Sequence, residues 1–342
     1  MVRPILFRLA LPGTEHALTI YGYGAMMCLG FLAAILVAAW RARRRGQSPD
    51  VIYNAGLVAF VCSVFGARLF YVLQYREHFR SVWDLFAIWE GGLTYYGGLV
   101  LGAAGVVAYL RLARRPVLYW LDIVAPSLAL GLAFGRMGCF LNGCCYGDEC
   151  HLPWAFAWPV GSLPWEHYAN AFLESAGLKG ALLSAEGFGP ALGAVTGSLA
   201  GARQAWTIHP SQLYSLVNAA GLFAVLHLAF RWKRRHGQIF FFFILLYAVS
   251  RFLLEYTRAD EAETYLLGLP TLLQWLGHGA AAGNLGGLTI SQNVAAAMAA
   301  AAIAALVWLN RSTHPHRDAD YEPPPDEPSP AAGSNQRKGK RR

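Results

Sequence analysis

The chain reads as an all-α polytopic membrane protein of about seven transmembrane helices, with its N-terminus outside and its C-terminus cytoplasmic. Three observations predict this. Of 342 residues, 56% are hydrophobic and only 14% charged, against about 25% charged in an average soluble domain. Seven apolar runs have the length of a membrane span, roughly 17–25 residues. The Arg and Lys residues cluster at alternate junctions between those runs, as the positive-inside rule requires of cytoplasmic ends. A net charge of +8 laid out this way is topological, so a nucleic-acid partner is not expected.

In order, residues 1–17 form an N-terminal interfacial arm; Arg3, Pro4, Arg8 and Pro12 interrupt any signal-peptide core. Helices 1–4 occupy 18–147, with apolar runs at Leu18–Trp40, Val51–Leu73, Gly92–Leu112 and Leu118–Leu141. An extracytoplasmic cap follows at 148–208. It is too long for a turn, and it carries Pro153, Trp154, Trp158, Pro159, Pro164 and Trp165, suited to the membrane interface. Helices 5–7 lie within 209–310 at Gln212–Phe230, Ile239–Tyr256 and Leu288–Leu309, with an outer loop at 257–287. Basic clusters mark the cytoplasmic ends: Arg41, Arg43, Arg44 and Arg45; Arg111, Arg114 and Arg115; Arg231, Lys233, Arg234 and Arg235; and Arg311 with Arg317. Residues 311–342 have almost nothing apolar to bury and are expected to form a disordered cytoplasmic tail. The chain shows no convincing internal repeat, which disfavours transporters built from duplicated halves.

The most informative stretch is GRMGCFLNGCCYG, from Gly135 to Gly147, at the outer end of the fourth helix. An ionised guanidinium in hydrocarbon costs roughly 2.5–3.5 kcal/mol even on lenient insertion scales, so Arg136 calls for a buried anion or a ligand. The predicted topology places Tyr23, Arg68, Tyr95, Tyr96, Arg136, Asn142, His209, Gln212, Tyr214 and Gln292 at that same outer level. Tyr247, Arg251, Glu255 and Arg258 recur at steps of four, four and three along one stripe of the sixth helix. Each also has a plain reading: belt tyrosines, an i,i+4 ion pair, arginines snorkelling to headgroups, a histidine ending a loop. What those readings leave unexplained is a surplus of arginine over carboxylate at one depth. That surplus predicts an anionic ligand, and a phosphodiester is the natural one there.

Cys139, Cys144, Cys145 and Cys150 fall close together, with His151 next, whereas Cys28 and Cys62 sit alone in apolar helices as packing residues. The spacing fits standard zinc sites poorly. An outer location favours oxidation, so a disulfide involving Cys150 ranks ahead of packing thiols, a metal or a catalytic thiol.

Taken together, YGAMMCLGF at Tyr23, GARLFYVLQY around Arg68, GGLTYYGGL at Gly91, GRMGCFLNGCCYG, HPSQLY at His209, YAVSRFLLEYTR at Tyr247 and LTISQ before the last helix resemble the prolipoprotein diacylglyceryl transferases. The resemblance implies transfer of a diacylglyceryl group from phosphatidylglycerol to the lipobox cysteine of a prolipoprotein signal peptide, giving a thioether and releasing glycerol-1-phosphate. It implies a bacterial inner-membrane enzyme among membrane lipids, acting at the outer leaflet with no metal or organic cofactor. Arg136, Arg251, Tyr96 and Glu255 are then the catalytic candidates. Tyr23, Arg68, Asn142, His209, Gln212, Tyr247 and Arg258 are the candidates for binding substrate. Three departures stand out: Tyr96 fills the slot of the family's proposed histidine base, Cys139 and Cys144 replace an asparagine and a glutamate, and Ser215 stands where a glutamate commonly follows QLY. The phosphate-binding half of the pattern is therefore kept, while the proton-handling half is changed, since a phenol of unperturbed pKa near 10 is a weak base at neutral pH. A paralogue that binds phospholipid but serves another acceptor, or none, is the second reading. A transporter of anionic solutes is third, because the inner halves of the helices offer few polar residues.

Overall fold

A computed structural model describes residues 5–10, 17–75, 92–159, 162–168, 207–258 and 288–311 of the chain. Seven helices there are long and apolar enough to cross a membrane: α1 (Gly22–Arg44), α2 (Asp50–Gln74), α3 (Tyr95–Leu112), α4 (Val117–Asn142), α5 (Ser211–Ala229), α6 (Gln238–Leu254) and α7 (Ile290–Arg311). A helix satisfies every backbone group within its own segment, which is why long apolar runs resolve this way. The all-α polytopic expectation holds. Two 3₁₀ turns, Phe230–Trp232 and Glu255–Thr257, extend α5 and α6. Most of the predicted cap, the outer loop from residue 259 and the tail from residue 312 lie outside the described residues.

The latest starts relative to hydropathy are those of α1 and α3. Strand β1 (Ile5–Ala10), in the N-terminal arm, pairs antiparallel with β2 (Ala17–Tyr21), which takes up the first residues expected of helix 1, so α1 begins only at Gly22. Thr19, Ile20 and Tyr21 are strand formers, and Phe7, Ile20 and Tyr21 remain exposed apolar surface. In α3, Gly92 takes φ +72° and Thr94 is extended, so the helix opens at Tyr95.

The chain divides into two compact units. One holds the described parts of 32–128, 225–243 and 305–342. Within it, α2 and α3 pack through small residues. A methyl group on Gly66 would strike the Gly97 carbonyl, one on Gly97 would strike the Gly66 carbonyl, and one on Gly105 would come within 2.6 Å of Cys62 Sγ. Arg68 is buried, donating to the Gly92 carbonyl at 3.2 Å with its guanidinium 5.6 Å from the Tyr71 ring centre. Tyr95 and Tyr96 are exposed and edge-to-face at 5.7 Å. In the same unit, fully buried Asp122 meets Lys233 at 3.1 Å. It also accepts the backbone N–H groups of Gly237 at 2.7 Å and Phe240 at 2.8 Å, capping the start of α6. Arg41 bonds His227 at 2.9 Å, and Arg235 donates to the Leu309 carbonyl. Several basic residues that mark topology in the sequence are thus also packing and capping groups.

Candidate active site

The second unit comprises the described parts of 1–31, 129–224 and 244–304, and it holds the glycine-rich signature. Glycines along α4 let α1 approach: a methyl group on Gly138 would lie 3.2 Å from Tyr23 Cδ2, so the Tyr23 ring rests on the signature helix. The helix ends at Gly143, whose φ of +78° is open to glycine at little cost. There the N–H groups of Gly143 and Cys144 both donate to the Cys139 carbonyl, at 2.9 and 3.2 Å. Cys145 is one of two non-glycine residues with positive φ among the described residues, at 56°. Such a conformation persists where surrounding structure over-determines it, and here Ser211 Oγ donates to the Cys145 carbonyl at 2.7 Å and Gln212 Nε2 to the Cys144 carbonyl at 2.9 Å.

Beyond that turn the chain is stitched to the ends of α5 and α6. Gly147 N–H donates to the His209 carbonyl at 3.1 Å, His209 N–H to Asp148 at 2.9 Å, Asp148 N–H to Thr257 at 3.2 Å and Cys150 N–H to Thr207 at 2.9 Å. Short strands β3 (Phe156–Ala157) and β4 (Thr207–Ile208) complete the layer. Gly147 is required here, because a Cβ would sit 2.5 Å from the His209 and Thr257 carbonyl oxygens. Burial, and then the charges of Asp148 and Glu149, push the Tyr168 phenol up, so it stays a donor, to the Gly147 carbonyl at 3.0 Å.

On α6, Arg251 forms an ion pair with Glu255 one turn later and donates to Ser291 Oγ at 2.9 Å. The other oxygen of buried Glu255 accepts from Thr289 Oγ1 at 2.7 Å. Thr289 in turn opens α7 as a capping box: Gln292 N–H donates to Thr289 Oγ1 at 3.2 Å and Thr289 N–H to Gln292 Oε1 at 3.1 Å. Arg251 is therefore held by a chain of fixed partners. Through the 255–257 turn, Arg258 N–H donates to the Glu255 carbonyl at 3.1 Å, and Arg258 pairs in a β-bridge with Gly147. That links the Arg251 assembly to the signature loop.

Arg136 differs from Arg251. It is half-buried and makes no hydrogen bond or ion pair among the described residues. Its charge reaches Tyr23 and Cys145. Hydrogen bonds from Cys139 and Cys144, reinforced by the Arg258 and Arg136 guanidinium groups, hold the Cys145 thiol well below the usual range despite its burial. All six cysteines are free. The expected disulfide at Cys150 is absent: Cys150 is buried beneath the stitched layer, and the thiols that gather are Cys139, Cys144 and Cys145.

The same unit holds Tyr23, Arg136, Asn142, Arg251, Glu255 and Arg258, with Tyr247 one turn before Arg251. His209 and Gln212 serve the scaffold there: His209 Nδ1 lies 3.3 Å from Tyr214 OH, and fully buried Gln212 holds the loop. Gln212 Oε1, however, has no partner among the described residues. Arg68 and Tyr96 belong to the other unit. Thr289, Ser291 and Ser211 have little to mark them in the sequence; only the T-x-x-Q spacing of Thr289 and Gln292 carries a readable signal.

The profile of the family described as "Prolipoprotein diacylglyceryl transferase" matches residues 11–308. The chain is 29% identical over 259 residues to a phosphatidylglycerol–prolipoprotein diacylglyceryl transferase of Clostridium tetani, covering 76% of this chain and 86% of that one. It is 32% identical over 278 residues to the enzyme of that name from Geobacter sulfurreducens, covering 79% and 87%. With the Corynebacterium diphtheriae enzyme of the same name the figures are 31% over 255 residues, covering 73% and 81%.

Proposed function

Because the chain belongs to the prolipoprotein diacylglyceryl transferases, we propose that Arg136 and Arg251 clamp the phosphodiester of phosphatidylglycerol while its diacylglyceryl group passes to the prolipoprotein. The transfer itself is the family's activity, and the chain is a multi-pass membrane enzyme. The carrying observation is the contrast between the two arginines. Arg251 is pre-oriented by Glu255 and Ser291, whereas Arg136 stands half-buried with no protein anion bonded to it among the described residues.

In this reading the acceptor thiol loses its proton to solvent, its sulfur forms a bond to the glyceryl carbon, and the carbon–oxygen bond to phosphate breaks. Glycerol-1-phosphate leaves, its growing negative charge met by the two guanidinium groups. Glu255 keeps Arg251 in place, and Tyr23 and Asn142 supply hydrogen-bonding capacity for the headgroup. Arg258 adds positive potential beside the signature loop. The acceptor is the lipobox cysteine of a signal peptide. The site faces the outer leaflet of the bacterial cytoplasmic membrane, as the distribution of basic clusters supports.

The test is transfer of labelled diacylglyceryl groups to a prolipoprotein substrate in membranes. Arg136→Ala and Arg251→Ala are each expected to lower the rate by about 10²–10³-fold or more, the size of losing one preorganised charge-stabilising group, while the variants still insert and accumulate. Wild-type rates in both would remove the clamp.

A further inference from the structure

Three thiols that the proposed lipid chemistry leaves unused converge where α4 ends. The sulfurs of Cys139, Cys144 and Cys145 all lie within 4.8 Å of one another, all free and all half-buried. Their convergence is built into the backbone. Cys139 sits in the last turn of α4; the left-handed residue Gly143 reverses the chain, and the positive φ of Cys145 folds it back. Ser211 and Gln212 then fasten the Cys145 and Cys144 carbonyls.

A metal–thiolate bond of about 2.3 Å places sulfurs roughly 3.8 Å apart in a tetrahedral site and about 4.0 Å apart in a trigonal one. Small side-chain rotations bring the three thiols to either arrangement. The donor set is all sulfur, which selects soft cations over Mg²⁺ or Ca²⁺. Three thiolates leave one net negative charge around Zn²⁺ and two around Cu⁺. Arg258 and Arg136 both lie within electrostatic reach of Cys145 and would offset that excess.

We propose that Cys139, Cys144 and Cys145 form a binding site for one thiophilic d¹⁰ cation, Zn²⁺ or Cu⁺, per chain. Binding displaces to solvent whatever protons the three thiols still hold and oxidises nothing. Zn²⁺ takes a water or other external ligand as its fourth partner, whereas Cu⁺ is satisfied by three sulfurs. The site rests on sulfur geometry, and its test reads metal binding rather than lipid transfer.

The experiment uses the full-length protein in detergent, reduced, stripped with chelator and then titrated. Co²⁺, as a Zn²⁺ probe, is expected to bind at one equivalent with sulfur-to-metal charge-transfer absorption that Zn²⁺ bleaches. Cu⁺, delivered from a competing chelator, is expected to bind at one equivalent, and the cation that displaces the other is the preferred ligand. Cys139→Ser, Cys144→Ser and Cys145→Ser should each weaken binding at least tenfold, while Cys150→Ser should not. For any variant that fails to accumulate, the wild-type chain carries the test: metal should protect Cys139, Cys144 and Cys145 from maleimide, read by peptide mass spectrometry, and leave Cys28 labelling unchanged. Identical labelling with and without metal, retained one-equivalent binding in the serine variants, or a disulfide within the cluster that re-forms in the presence of metal would each overturn the site.

Discussion

At Tyr96 the question is where the acceptor thiol's proton goes, because the sequence resemblance sets this residue in the slot of a proposed histidine base. A phenol is in general a poorer general base than an imidazole, and Tyr96 is 67% exposed at the start of α3. The expectation is that Tyr96→Phe keeps substantial activity and that its rate climbs with pH until the acceptor thiol, with an unperturbed pKa near 8.5, is fully ionised. Single-turnover transfer between pH 6 and pH 9.5 measures this. A fall of roughly 10²–10⁴-fold in Tyr96→Phe, the usual size of a lost general base, would make Tyr96 the proton acceptor instead. Arg251 and Glu255 were legible as a pair because four residues on one helix are neighbours. Ser291 and Thr289 were not, since they reach that pair from 40 and 34 positions away in the chain. Asp122, inside an apolar run, gave no local sign that it would cap α6 and meet Lys233.

The start of α7 joins fold and site in one element. Thr289 caps the helix and also donates to Glu255, the residue that orients Arg251. Thr289→Val keeps the shape but removes both bonds, costing about 1 kcal/mol for the cap and about 1–3 kcal/mol for a buried carboxylate oxygen left unpaired. Transfer is expected to fall at least tenfold with little change in the amount of inserted protein. Thr289→Ser, which restores the hydroxyl, is expected to recover most of the rate; equal rates in wild type and Thr289→Val would show that Arg251 needs no such support. Element positions followed hydropathy closely because every span must be long and apolar. The exceptions have local causes. Residues 17–21 are as apolar as a helix but pair with β1, and the layer joining residues 147–150 to 207–209 depends on partners more than fifty residues apart, beyond any periodicity.

For the molecule as a whole, orientation decides whether the candidate site meets lipoprotein substrates at all. The packed structure alters the charge count on which orientation rests: Lys233 is fully buried against Asp122, and Arg41 is buried beside His227. Discounting both still leaves Arg43, Arg44 and Arg45 at the end of α1, Arg111, Arg114 and Arg115 at and beyond the end of α3, Arg231, Arg234 and Arg235 between α5 and α6, and Arg311 at the end of α7. Acidic partners count little in this rule, so the bias survives on either count. Single cysteines placed at positions in 148–208, in a chain lacking the native six, are therefore expected to react with an impermeant maleimide from outside intact cells. Those placed in 312–342 should react only after permeabilisation. The reverse pattern would put Arg136 and Arg251 at the cytoplasmic leaflet, where a signal peptide already handed to the outer face could not reach them.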